Sequence, residues 1–284
     1  MKTLTATLPT TTSRCPIHRL MAWLGLPVAV KAERPAPSSD TGGRCPLGFD
    51  APGSAFTNKA SHEVETAPTL PGDPAAQALL DEARAAIYHW PTSFPGFSCT
   101  LQVLEAGHTW SGQLTARSSR DYQITSTDSE PPGGDRWLRY HLEEFLAHRE
   151  HPSISRMTSR TGVTFGEDHP IYGRRIDFLG DKMNSFYHIA DRRIRLIGRS
   201  YPKESFLITI DRHLELNHTF AATDYSAFYW SRSTGQLLRT ETYRDQYVPV
   251  GDLLLPASRI YTVSGEHATL TTRLIRFLNP HLLA

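Results

Sequence analysis

The chain has 284 residues, 39% of them hydrophobic and 21% charged, which suits one large domain or two modest ones. Its net charge of +1 supplies no global field toward nucleic acid or an anionic membrane, so no nucleic-acid partner is expected, and no apolar run is long enough for a transmembrane segment. Three scattered cysteines, Cys15, Cys45 and Cys99, give neither a disulfide framework nor the close ligand pairs of a zinc site, and this usage points to a reducing, cytoplasmic setting.

In chain order, residues 1–72 read as a low-order tail rich in Pro, Ser, Thr and Gly, with no sustained periodicity. Within it, the apolar stretch Leu20–Val30 follows Arg14 and Arg19. It offers the alternative of an exported or organelle-targeted protein with a cleaved N-terminal segment. Residues 73–284 read as a single domain. Asp73 is a good N-cap, Pro74 suits the first helical turn, and Ala76, Leu79, Leu80, Ala83, Ile87 and Trp90 keep helical spacing, so a helix is expected over Pro74–Trp90. Pro91 ends it, and the Pro95-Gly96 turn launches a strand.

From Phe97 the chain alternates. Phe97, Cys99, Leu101 and Val103 fall on one face, and Ser98, Thr100 and Gln102 on the other, the mark of strands with one wet and one buried side. Three strands run to about Thr127. Pro131-Pro132-Gly133-Gly134 breaks the pattern, and Asp135 caps a second helix to about His148 whose apolar side is Leu138, Leu142, Phe145 and Leu146. Strands are then expected near 155–166, 171–179, 185–190, 192–199, 204–211, 214–220, 225–232, 236–244, 254–264 and 268–278. The fold class is α+β: a large antiparallel β-sheet packed on two helices.

Three stretches resemble the domain of unknown function 3386 family, which is frequent in cyanobacteria. They are Tyr88-His89-Trp90-Pro91-Thr92-Ser93-Phe94-Pro95-Gly96-Phe97, Leu142-Glu143-Glu144-Phe145-Leu146-Ala147-His148-Arg149, and Tyr243 to Arg259 with its Leu-Pro-x-x-Arg ending. The resemblance spans about Ala75 to Asn279 and implies a fold rather than an activity. The family's strand order looks similar to the lipoprotein-carrier class, in which a curved sheet, a half barrel, cups helices and can hold an acyl chain.

The tail holds a repeated motif, Arg14-Cys15-Pro16-Ile17-His18 and Arg44-Cys45-Pro46. Both copies resemble haem-regulatory Cys-Pro motifs, with Cys15 and Cys45 as thiolate ligands, each beside an arginine, and His18 as a second axial ligand. Cys99, on the apolar parity, reads as core. His148 reads as a cation at a helix C-terminus, paired one turn back with Glu144. No His-Glu-x-x-His, nucleophile elbow or phosphate loop occurs, so no catalytic residue and no metal ligand is assigned. Arg193, Arg195 and Arg199 share a parity with Ile197 and are expected on one solvated face.

The later strands carry aromatics on both parities, so something covers an aromatic face. The leading expectation is a non-enzymatic carrier or accessory protein without a cofactor, whose partner is a small apolar ligand or another protein. Its apolar pocket, between sheet and helices, is lined by Trp90, Phe94, Phe97, Tyr187 and Tyr229, with His148 and Arg149 at a polar rim. The alternative is a haem- or redox-responsive regulator acting through Cys15, His18 and Cys45.

Overall fold

The computed structural model describes residues 71–126, 130–151, 162–265 and 270–284. Cys15, His18, Cys45 and nearly all of the expected tail lie outside them. Helix α1, Pro74–Ala85, begins as expected. Asp73 Oδ1 accepts hydrogen bonds from the backbone N–H of Ala75 at 2.8 Å and of Ala76 at 3.4 Å. It stops at Ala85 rather than at Trp90, because the next residues pair with a strand. Tyr88 N–H donates to Phe220 O at 2.9 Å, and Phe220 N–H donates to Ala86 O at 2.7 Å. Backbone groups satisfied by a neighbouring strand have no need of another helical turn.

The remaining elements are β1 (Phe97–Glu105), β2 (His108–Ala116), β3 (Tyr122–Thr125), helix α2 (Asp135–Ala147), β4 (Val163–Phe165), β5 (Arg174–Phe178), β6 (Phe186–Ala190), β7 (Arg193–Ser200), β8 (Glu204–Leu216), β9 (Thr219–Ser231), β10 (Leu237–Val250), β11 (Leu253–Gly265) and β12 (Leu270–Leu282). All twelve strands join one antiparallel sheet in the order β3-β2-β1-β12-β11-β10-β9-β8-β7-β6-β5-β4. The chain thus meanders from β4 to β12, and its last strand returns beside its first. The expected α+β class, a large antiparallel sheet with two helices, is the one observed.

Two sequence expectations are corrected by local geometry. The segments expected at 204–211, 214–220 and 225–232 are two long strands, not three, because Asn217 (φ 48°) and His218 (φ 64°) form the tight turn of the β8–β9 hairpin. Two successive left-handed residues match the twist of flanking strands, and Asn accepts that conformation without glycine. In β7, Leu196 pairs with His188 but Ile194 pairs with Ile189, so Arg195 is an extra residue in a bulge. Parity reverses there. Ile194 and Ile197 both enter the core, and Arg199 is buried with a guanidinium N–H on the Tyr187 hydroxyl at 3.3 Å, not on a solvated face with Arg193.

The apolar side of the sheet carries two clusters. Helix α1 adds Ala76, Leu80 and Ala83 to one that holds Ile176, Tyr187, Ile197, Phe206, Tyr229 and Tyr243. Helix α2 adds Leu138, Leu142 and Leu146 to the other, with Trp90, Phe97, Leu101, Leu114, Leu255 and Phe277. Trp137 packs against both. Each fully buried Leu or Phe of this kind stabilises the fold by about 1.5–3 kcal/mol.

Candidate functional site

Charged side chains lie buried beneath α2. Arg259 stands directly across the β10–β11 ladder from Asp245, on the parity that Tyr243 and Tyr261 also use. Its Nε and one terminal N–H donate to the two Asp245 oxygens, both at 2.7 Å, so the pair is bidentate. Another Arg259 N–H donates to Glu144 Oε2 on α2 at 2.8 Å, and a further bond runs to the Tyr225 hydroxyl at 2.7 Å. Arg259 is 1% exposed and Glu144 0%. Two carboxylates therefore share one buried guanidinium, and Asp245 holds the better geometry. Burial, with Asp245 and Glu241 nearby, raises Glu144 to about 7 against the pull of Arg259.

A second buried arginine, Arg149, follows the end of the same helix. Arg149 donates twice to the Tyr247 hydroxyl, at 2.7 and 3.1 Å, and its guanidinium lies 5.0 Å from the centre of that ring. Longer contacts of 3.4 Å reach the carbonyls of Tyr88 and Ala222. Burial, and then the positive charges of Arg149 and Arg259, push the His148 imidazole well below its ordinary value. His148 is therefore neutral at pH 7. The expected cation paired with Glu144 does not form, and Nδ1 stands 3.9 Å from the carboxylate, too far for a hydrogen bond.

Beside these groups opens a cleft of about 650 Å³ lined by Arg193, Asp211, Arg212, His213, Leu214, Thr223, Asp224, Asp245, Gln246, Tyr247 and Ala257. Its position follows from interruptions in the ladder. Ile210 pairs with Tyr225 and Arg212 with Asp224, which leaves Asp211 extra in β8; His213 then pairs with Ala222, which leaves Thr223 extra in β9. Gln246 pairs with Ser258 and Tyr247 with Pro256, which leaves Ala257 extra in β11. All three extra residues line the cleft. Bulges bend strands and release backbone groups from pairing, so a depression where three coincide is a mechanical result.

None of the seven residues expected to line a pocket lines this cleft. Trp90, Phe94 and Phe97 do come together, with the Trp90 and Phe94 rings stacked at 4.2 Å and the indole N–H donating to Leu254 O at 2.9 Å. Tyr187 and Tyr229 belong to the other cluster, where the Tyr229 hydroxyl donates to Glu241. Arg149, 4% exposed, is buried behind Tyr247. From sequence alone Asp245, Tyr247 and Arg259 have no role and Glu144 only that of a partner to His148, although one signal is present: Asp245 and Arg259 are charges on the inward parity of Tyr243 and Tyr261. Among the described residues no group of three or more His, Cys, Asp or Glu side chains converges as a metal site, and no helix is long and apolar enough to cross a membrane.

The class defined by these elements is an α+β protein made of one twelve-stranded antiparallel sheet and two helices. The chain belongs to the family described as a protein of unknown function (DUF3386), whose pattern matches residues 72–283. Among solved structures it is similar to the LolA superfamily protein NE2245 from Nitrosomonas europaea, with 12% sequence identity and a TM-score of 0.31 over 74% of this chain and 94% of that one. No curated protein matches the sequence.

Proposed function

We propose that the protein is a non-enzymatic binding protein, of the carrier or accessory kind, that holds a small molecule in the cleft of β8–β11. The coincidence of three bulges in one cleft carries this reading. Bulges interrupt pairing that otherwise stabilises a sheet, and their residues here face a space of ligand size. The floor is also rigid, since Asp245 is clamped by Arg259 and Tyr247 by Arg149. The lining is more polar than the apolar pocket expected from sequence, so the bound part of the ligand is polar, with Leu214, Ala257 and the Tyr247 ring as its apolar contacts.

The test is native mass spectrometry of the full chain purified from its own host, with aqueous and organic extracts analysed in parallel. One stoichiometric small molecule is expected, and Ala257→Trp, which fills the cleft, is expected to lose it. A wild-type protein without a bound molecule, or a variant that retains it, overturns the reading. The repeated Arg-Cys-Pro of the tail favours a second reading, a haem- or redox-responsive regulator. Ferric haem would then give a Soret shift that depends on Cys15 or Cys45. A spectrum unchanged by replacing both removes it.

A further inference from the structure

The charges around the cleft do not balance. Of its three carboxylates, Asp224 is held by Arg244 at 2.9 Å and Asp245 by Arg259 at 2.7 Å, so both are already neutralised by arginines that do not line it. Asp211 has no ion-pair partner among the described residues. Against it stand several guanidinium groups. Arg212 forms no ion pair among the described residues, and Arg193 reaches no carboxylate closer than Glu215 at 4.0 Å while lying 4.2 Å from the centre of the Phe220 ring. Among the described residues Arg195 donates to the Ile210 carbonyl at 3.2 Å. Among the described residues Arg149, buried behind Tyr247, bonds to neutral oxygens.

This surplus is felt at His213, a lining residue whose imidazole is lowered to about 4 by burial and by Arg193, Arg195 and Arg149. Arg149 is buried, Arg193 half-buried and Arg212 exposed at the cleft, so an incoming anion meets guanidinium groups that are not already held by a close carboxylate. One donor is also in place. The Tyr247 hydroxyl accepts both of its described bonds from Arg149, which leaves its own proton for another acceptor.

Resting on the binding reading of the same cleft, we infer that its ligand carries an anionic oxygen group, a carboxylate or a phosphate monoester, which pairs with Arg193 and Arg212 and accepts the Tyr247 proton. Guanidinium favours both groups because its fork matches their oxygens. Arg149 acts through Tyr247 as a positioning residue. The partly apolar remainder of the lining leaves room for an organic portion of the ligand.

Thermal-shift and calorimetric titrations of the full chain at constant ionic strength test this, with hexanoate and glycerol 3-phosphate as probes, hexanol and glycerol as neutral controls, and choline as a cation. A saturable shift with either anion, absent with the controls, is expected. Which anion binds distinguishes the two sources of charge. Arg193→Gln, Arg212→Gln and Tyr247→Phe should each weaken it about tenfold or more, and Arg276→Gln, an exposed side chain of β12, should not. Equal responses to anion and neutral control, or an anion response that survives both arginine variants, overturn the inference. A host-derived ligand that is neutral or cationic, yet displaced by Ala257→Trp, leaves the binding reading standing and removes only the anion. An absence of any ligand, together with no anion response, removes both.

Discussion

Replacing Glu144 by Gln keeps the size and hydrogen-bonding shape of the side chain and removes its titration. In the wild type the native carboxyl is raised to about 7 from an ordinary 4.5, so between these values the folded protein binds more protons than the unfolded chain. Stability contributed by this group is therefore fully present below about pH 4.5 and falls as pH rises through 7. The shift corresponds to about 3 kcal/mol between the two limits, at roughly 1.4 kcal/mol per pH unit. No large discount for solvent applies, because Glu144 is fully buried.

Buried neutral histidines work in the opposite direction. His89 and His213, both lowered to about 4, add stability as pH rises toward 6.5. The quantity to measure is therefore the difference between variant and wild type. Urea unfolding followed by tryptophan fluorescence at pH 5, 6, 7 and 8.5 should show Glu144→Gln near wild type at pH 5. It should gain most of its advantage by about pH 7 and level off toward pH 8.5, by about 2–3 kcal/mol in all. A difference that stays constant over this range would show that Glu144 is ionised throughout and that Arg259 faces two full negative charges.

Other perturbations follow from the same geometry. Arg259→Met leaves Asp245 and Glu144 buried without a cation and should cost about 3–5 kcal/mol in urea unfolding at pH 7, while a loss below 1 kcal/mol, roughly that of a surface pair, would mean the pair is solvated. Gly96 adopts φ +95°, and an added Cβ would meet the Ala116 carbonyl at 2.6 Å, so Gly96→Ala should lower stability by about 1–3 kcal/mol; an unchanged urea midpoint contradicts this. Cys99 is buried and its thiol raised to about 12, so with Cys15 and Cys45 replaced by Ser an aromatic disulfide reagent should label it no faster than the protein unfolds; rapid labelling of the folded protein would place it outside the core.

Much of the frame was legible because it is periodic. Phe97, Cys99, Leu101 and Val103 are all buried, as their parity requires, and Asp73 caps α1 as its type and position require. The ends of elements were less legible. α1 has good spacing to Trp90, but Phe220, far along the chain, offers its backbone to Tyr88 and ends the helix. The buried ion network was legible only as a contradiction. Asp245 and Arg259 sit on an inward parity where apolar residues belong, and that conflict is resolved when strand pairing sets them opposite one another.

The cleft marks where parity counting fails for a physical reason. A bulge is defined by the partner strand, since an extra residue is extra only against a ladder that continues without it. Asp211, Thr223 and Ala257 look ordinary in sequence, and each becomes distinct only when β9, β8 or β10 lies beside it. Alternation had pointed to a wholly apolar inner face, and hence to an apolar ligand. The same ladder, read residue by residue, places charges and bulges together around Tyr247. The part of the sheet that departs from period two is thus where the cleft opens, and the strand aromatics that obey it, Phe97, Tyr187 and Tyr229, are buried in the core.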